Sequence, residues 1–203
     1  MKTHRISCKL FPTPLSLAAV LFLGSTAASE KPPAVFEGKD TLLRPEGYRQ
    51  WVFVGSALGL EYSPNEEKQT SSNLEYKNVY IDPAAFKAFS ETGRFPDGTM
   101  FVLETASAET KNEPGLQGSF QKEYLGISAA VKDTGRFPEG WAYFRFTDRS
   151  GTARTQATPA PKAACFDCHR QKGAIDNVFT QFYPVLRAAS LGVAQPEAKR
   201  ARP

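Results

Sequence analysis

The stretch Cys165-Phe166-Asp167-Cys168-His169 constrains this chain more than any other. Two cysteines separated by two residues and followed at once by a histidine have the attachment spacing of a c-type haem. The chemistry requires each part. Two thiols add across the two haem vinyl groups, the intervening pair sets the span between them, and the adjacent imidazole reaches the iron as proximal ligand. Three other readings compete: a redox dithiol, a structural disulfide and half of a zinc site. A tetrahedral zinc site takes four ligands, and apart from His4 and Cys8 these are the only cysteines and histidine in the chain. A dithiol or disulfide leaves the neighbouring histidine without a reason. One covalent haem c, with its iron, is the expected cofactor, with Cys165 and Cys168 as thioether residues and His169 as iron ligand.

The N-terminus says where that chemistry takes place. Lys2, Arg5 and Lys9 precede an apolar run from Leu15 to Leu23, and small residues from Ser25 to Ser29 follow; this is the pattern of an export signal. Residues 1–28 therefore read as a signal peptide cleaved near Ala28, and the mature protein as periplasmic. The apolar run is too short for a permanent membrane span, and Cys8 lies ahead of it rather than at its end. Export suits the haem motif, because covalent haem attachment in bacteria is completed outside the cytoplasm. Removing Lys2, Arg5 and Lys9 takes the formal charge from +4 to +1. The basicity belongs mostly to the signal, so nucleic acid is not an expected partner. Residues 29–190 suffice for a single haem-binding domain, and 191–203, with Lys199-Arg200-Ala201-Arg202, read as a disordered tail.

Gln50 to Val54, Lys77 to Ile81, Thr99 to Leu103 and Trp141 to Phe146 are short, rich in β-branched and aromatic residues, and bounded by Gly, Pro, Asn or Asp. They read as strands, with Tyr124 to Val131 a weaker fifth. Asp82-Pro83 opens a helix to about Ser90, with Phe86 and Phe89 on one face. Segments 63–73, 106–118 and 150–161 read as loops. After His169, Val178, Phe179, Phe182, Val185, Leu186 and Ala189 recur at helical spacing, and Pro184 must kink that helix or start a new one. Thr92-Gly93-Arg94-Phe95-Pro96-Asp97-Gly98 and Thr134-Gly135-Arg136-Phe137-Pro138-Glu139-Gly140 form a short repeat. Two explanations of it stand open: a duplicated helix, turn and strand unit, or reuse of one good turn.

The residue inventory nearly excludes a sixth iron ligand. Electron-transfer c-type cytochromes close the iron with a second histidine or a methionine. Here His4 leaves with the signal, His169 is used, and Met100 is the only methionine after Met1. Alternation along Thr99 to Leu103 puts Phe101 and Leu103 on one face and Met100 and Val102 on the other. A haem on the Phe101 side leaves Met100 pointing away, with the iron open to small molecules. The motif also sits late, with 34 residues after it, and the strand content argues against a four-helix bundle.

An ordered series of segments resembles the cytochrome P-460 and cytochrome c′-beta family. It comprises Pro45-Glu46-Gly47-Tyr48-Arg49-Gln50-Trp51-Val52, Asn78-Val79-Tyr80-Ile81-Asp82-Pro83, Asp97-Gly98-Thr99, Trp141-Ala142-Tyr143-Phe144, the haem motif, and Val178 to Arg187. The resemblance implies an α+β fold, mainly antiparallel β-sheet with a few packed helices, usually a homodimer, with pentacoordinate haem on a proximal histidine. P-460 enzymes oxidise hydroxylamine and carry a lysine cross-linked to the porphyrin; the matching position here is Leu103, whose alkyl side chain cannot form the link. Their proton-accepting glutamate matches Ser128, and an arginine ahead of the Val-Tyr-Ile-Asp strand matches Lys77. A hydroxyl is a poor base near neutral pH. The departures favour the c′-beta branch, whose apolar distal pockets bind nitric oxide and carbon monoxide.

Phe101 and Leu103 are therefore the expected distal cap, with Glu104 and Glu123 as reserve bases whose commoner role is that of exposed strand-edge carboxylates. The leading expectation is a gas-binding haem protein handling nitric oxide. Two alternatives stand beside it: an oxidoreductase acting on hydroxylamine or peroxide, and an electron carrier served by a redox partner protein.

Overall fold

The computed structural model describes residues 32–60, 74–148 and 150–200, with side chains up to residue 192. The expected signal peptide and the expected loop at 63–73 lie outside these residues. The elements run β1 (Phe36–Glu37), β2 (Thr41–Leu43), β3 (Val52–Leu58), β4 (Glu75–Ile81), α1 (Pro83–Thr92), β5 (Met100–Glu113), β6 (Leu116–Lys132), β7 (Trp141–Arg145), β8 (Gln156–Ala157), α2 (Phe166–Lys172) and α3 (Pro184–Arg200). β3 to β7 form one antiparallel sheet in sequence order, and β1, β2 and β8 a smaller one. The fold is α+β and mainly antiparallel, as the resemblance implies.

Strand alternation divides the large sheet into two faces. Register aligns Val79, Leu103, Ser128 and Arg145 in one row across β4 to β7, and Ile81, Phe101, Ala130 and Tyr143 in a second. The helices and the C-terminal segments cover that face, where Phe89, Phe95, Phe166, Phe179 and Leu186 join Phe101 in one core. The intervening row, Tyr80, Val102, Ala129 and Phe144, points the other way. It packs with Leu42, Tyr48, Met100 and Phe137 into a second core under the small sheet.

α1 begins where Asp82 caps it. One carboxylate oxygen accepts from Ala85 N at 2.8 Å, and the other accepts from Met100 N at 2.9 Å, tying the helix to β5. Burial raises this carboxyl above its ordinary range, opposed by the N–H donors. The helix ends at Gly93, left-handed at φ 70.

The structure resolves the loop and repeat readings. Residues 106–118 are not a loop: β5 and β6 run through them as a ribbon closed at Pro114-Gly115, pairing as far as Glu113 with Leu116. Past the buried Ala106 both faces of that ribbon meet solvent, so its sequence carries no hydrophobic alternation to read. The repeat is one turn used twice, since helix α1 precedes the first copy and strand β6 the second. The two copies meet through Thr134 N donating to Asp97 Oδ1 at 3.2 Å, and bury Phe95 and Phe137 in the two different cores. Of the two readings of Pro184, the second holds: α3 starts there, and its backbone is helical to Arg200.

Candidate functional site

α2 is a short helix presenting the motif. His169 N donates to Cys165 O at 3.1 Å, so Cys165, Cys168 and His169 share the face that three- and four-residue spacings define. All three line a cavity of about 240 Å³ against the first face of the large sheet. Its floor is the two rows set by register, with Val79, Phe101, Leu103, Ser128, Tyr143 and Arg145 facing in, and its side is closed by Trp141, Phe179 and Tyr183. Apart from Ser128 and Arg145, this wall is aromatic and aliphatic.

His169 is fixed from three directions. Its ring lies 4.4 Å from that of Tyr143 and 4.5 Å from that of Phe179, and Nδ1 donates to Asn177 O at 2.9 Å. Burial lowers the imidazole below its ordinary range, opposed by that hydrogen bond. With Nδ1 engaged by that carbonyl, Nε2 is the nitrogen left for a metal. Burial pushes the Cys165 thiol up, while the neighbouring Arg145 opposes the rise. Both cysteines are free thiols, Cys165 partly buried and Cys168 exposed.

The other sequence candidates separate cleanly. Phe101, Leu103 and Ser128 line the cavity. Met100 is fully buried in the second core, across the sheet from it. Glu104 is not an exposed strand-edge carboxylate: it is 7% exposed and lies on the Met100 face. There it accepts from Tyr48 Oη at 2.5 Å and Arg49 Nε at 2.7 Å, a pairing that takes it away from any role in the cavity. Glu123 is exposed on the ribbon. Lys77 pairs with Glu75.

Sequence reasoning missed the functional placement of Trp141, Tyr143, Arg145 and Asn177. The alternation of the first three through β7 is legible, but not that their face meets the motif. Asn177 contributes a backbone carbonyl, which no side-chain pattern announces.

Gly173 is required by the same geometry. A Cβ there would lie 2.6 Å from Asn177 C and 2.7 Å from His169 O, both backbone atoms. Gly173→Ala is expected to destabilise the fold by about 1–3 kcal/mol, the usual range for overpacking, and to disturb His169. Chemical denaturation combined with the visible spectrum checks both effects.

Two thiols and one imidazole converging on a mainly apolar chamber against an antiparallel sheet fit the demands of a cytochrome. A family profile described as Cytochrome P460 matches residues 45–180, and the chain belongs to that family. Membership brings a haem cofactor, and the residues present suit it: sulfur and imidazole on one wall, and mainly apolar side chains, with Ser128 and Arg145 among them, on the others. No curated protein matches the chain.

Proposed function

We propose that this chain is an exported c-type haem protein that binds nitric oxide and related small gases at an open sixth iron position. Cys165 and Cys168 hold one haem through thioethers, and His169 is the proximal ligand. When bound, the haem supplies an iron whose remaining coordination site takes a neutral diatomic. Phe101 and Leu103 cap that site. A charged ligand placed against them without hydrogen-bond partners would cost several kcal/mol, of the order of 2–7 kcal/mol for a buried unpaired polar group alone, which a neutral diatomic avoids. The observation that carries this reading is the position of Met100, buried in the second core on the opposite side of the sheet. Visible and resonance Raman spectra of the ferrous protein with and without nitric oxide test it. A five-coordinate high-spin iron that binds the gas is expected, and a six-coordinate low-spin iron indifferent to nitric oxide would overturn it.

We place the protein closer to the c′-beta branch of the family. Leu103 stands where a cross-linking lysine would be needed for the hydroxylamine-oxidising branch, and the cavity wall described above contains no lysine. Mass spectrometry of the haem peptide is expected to show two covalent connections. A third, through Lys77 or any other lysine, would return the protein to the hydroxylamine-oxidising reading.

The homodimer is proposed on the β5–β6 ribbon. Leu116 and Phe120 are 48% and 42% exposed there, and a two-stranded ribbon is marginal without cover. Light scattering is expected to give a dimer mass, and Phe120→Asp a monomer with an unchanged haem spectrum. A wild-type monomer would remove the proposal.

A further inference from the structure

Whatever holds the Asn177 carbonyl also holds His169, because Nδ1 donates to it at 2.9 Å. Asn177 is the second central residue of a two-residue turn. Ile175 and Val178 pair across it, with Val178 N donating to Ile175 O at 2.8 Å. Asp176 and Asn177 have φ of 48 and 62, and among the described residues they are the non-glycines with positive φ. Two successive left-handed residues make a type I′ turn. Without glycine that conformation is strained, and it persists where neighbouring structure over-determines it.

The neighbouring structure here is Lys132 and Trp141, which hold the turn's own Asp176 carboxylate. Trp141 Nε1 donates to Asp176 Oδ1 at 3.1 Å, and Lys132 Nζ donates to Asp176 Oδ2 at 2.7 Å. Lys132 and Trp141 are direct cross-strand partners on β6 and β7. Lys132 Nζ is itself held by Phe95 O at 2.7 Å. A single side chain thus fastens the strained turn to the end of the sheet, and Gly173 lets α2 approach the turn's backbone from the other side.

We infer that Asp176 is the positioning residue of the proximal imidazole, clamping the turn so that Asn177 O fixes the orientation of His169 and the strength of its Nδ1 hydrogen bond. The inference rests on the proposed role of His169 as iron ligand. A well-held acceptor at Nδ1 makes the imidazole a more basic ligand, which favours the ferric state. Loosening the turn weakens that donation. Trp141 therefore serves twice, as cavity wall and as half of the clamp.

The test is the iron–histidine stretching band of the ferrous holoprotein by resonance Raman, with the reduction potential measured alongside. Asp176→Ala is expected to move the band to lower frequency and the potential upward. Asp176→Asn keeps an acceptor for Trp141 and a residue tolerant of left-handed φ, so it should lie nearer the wild type. If Asp176→Ala yields no holoprotein, Lys132→Met and Trp141→Phe read the same band and should shift it in the same direction. Wild-type band and potential in variants that retain haem would overturn the clamp alone. A wild-type protein with no iron–histidine band would instead remove His169 as the ligand, and the clamp's function with it.

Discussion

The Cys165→Ala, Cys168→Ala double variant is expected to surrender all of its haem to acid-acetone, while the wild-type polypeptide keeps its colour through a denaturing gel. Cys165, Cys168 and His169 line the same cavity, so a haem bound there would be within the reach of all three side chains only if the proposed attachment is right. Removing the thiols leaves the apolar wall, the Tyr143 and Phe179 rings and the proximal nitrogen intact. Haem should still enter and ligate, held without a covalent bond. His169→Ala gives the complementary result, with thioethers retained and the iron–histidine band lost. Colour that remained covalent in the double cysteine variant would show that other residues attach the haem.

Met100→Ala should separate stability from coordination. Met100 is fully buried, and truncating such a side chain to alanine costs about 2–5 kcal/mol through lost transfer energy and an unfilled cavity. The ferrous spectrum should not change, because the side chain packs with Val102, Ile127 and Phe144 on the face turned away from the cavity. A sixth ligand would behave in the opposite way: its removal would convert a low-spin spectrum to a high-spin one. That conversion in Met100→Ala would make the protein an electron carrier. Phe101→Ala is the matching change on the near face. It enlarges the cavity at the proposed cap, and should speed carbon monoxide entry by an amount that stopped-flow mixing reads directly.

The strand assignments show where one-dimensional reading works. β4 and β7 were legible because each is short, aromatic or β-branched and bounded by turn residues. The alternation in β5 correctly set Met100 against Phe101, since side-chain direction in a strand depends on parity alone. The same reasoning failed from Ala106 to Gly118, because past the buried Ala106 both faces of the ribbon reach solvent and parity leaves no hydrophobic mark. It failed for Glu104 as well. Its burial is made tolerable by Tyr48 and Arg49, partners more than fifty positions away in the chain, and burial of that kind has no local signature.

By itself the sequence determined the spacing of Cys165, Cys168 and His169, the parity of β5 and the shortage of further histidines and methionines, because spacing and residue inventory are local facts that folding cannot alter. Tertiary structure alone decided which face of the sheet the motif meets, which strands supply the cavity floor and what orients His169. Those depend on strand register and on a left-handed turn at Asp176 and Asn177 fastened to Lys132 and Trp141. Contacts between residues distant along the chain are set by the packing of whole elements, and a backbone carbonyl such as that of Asn177 becomes an acceptor for one particular imidazole once the chain has folded around it.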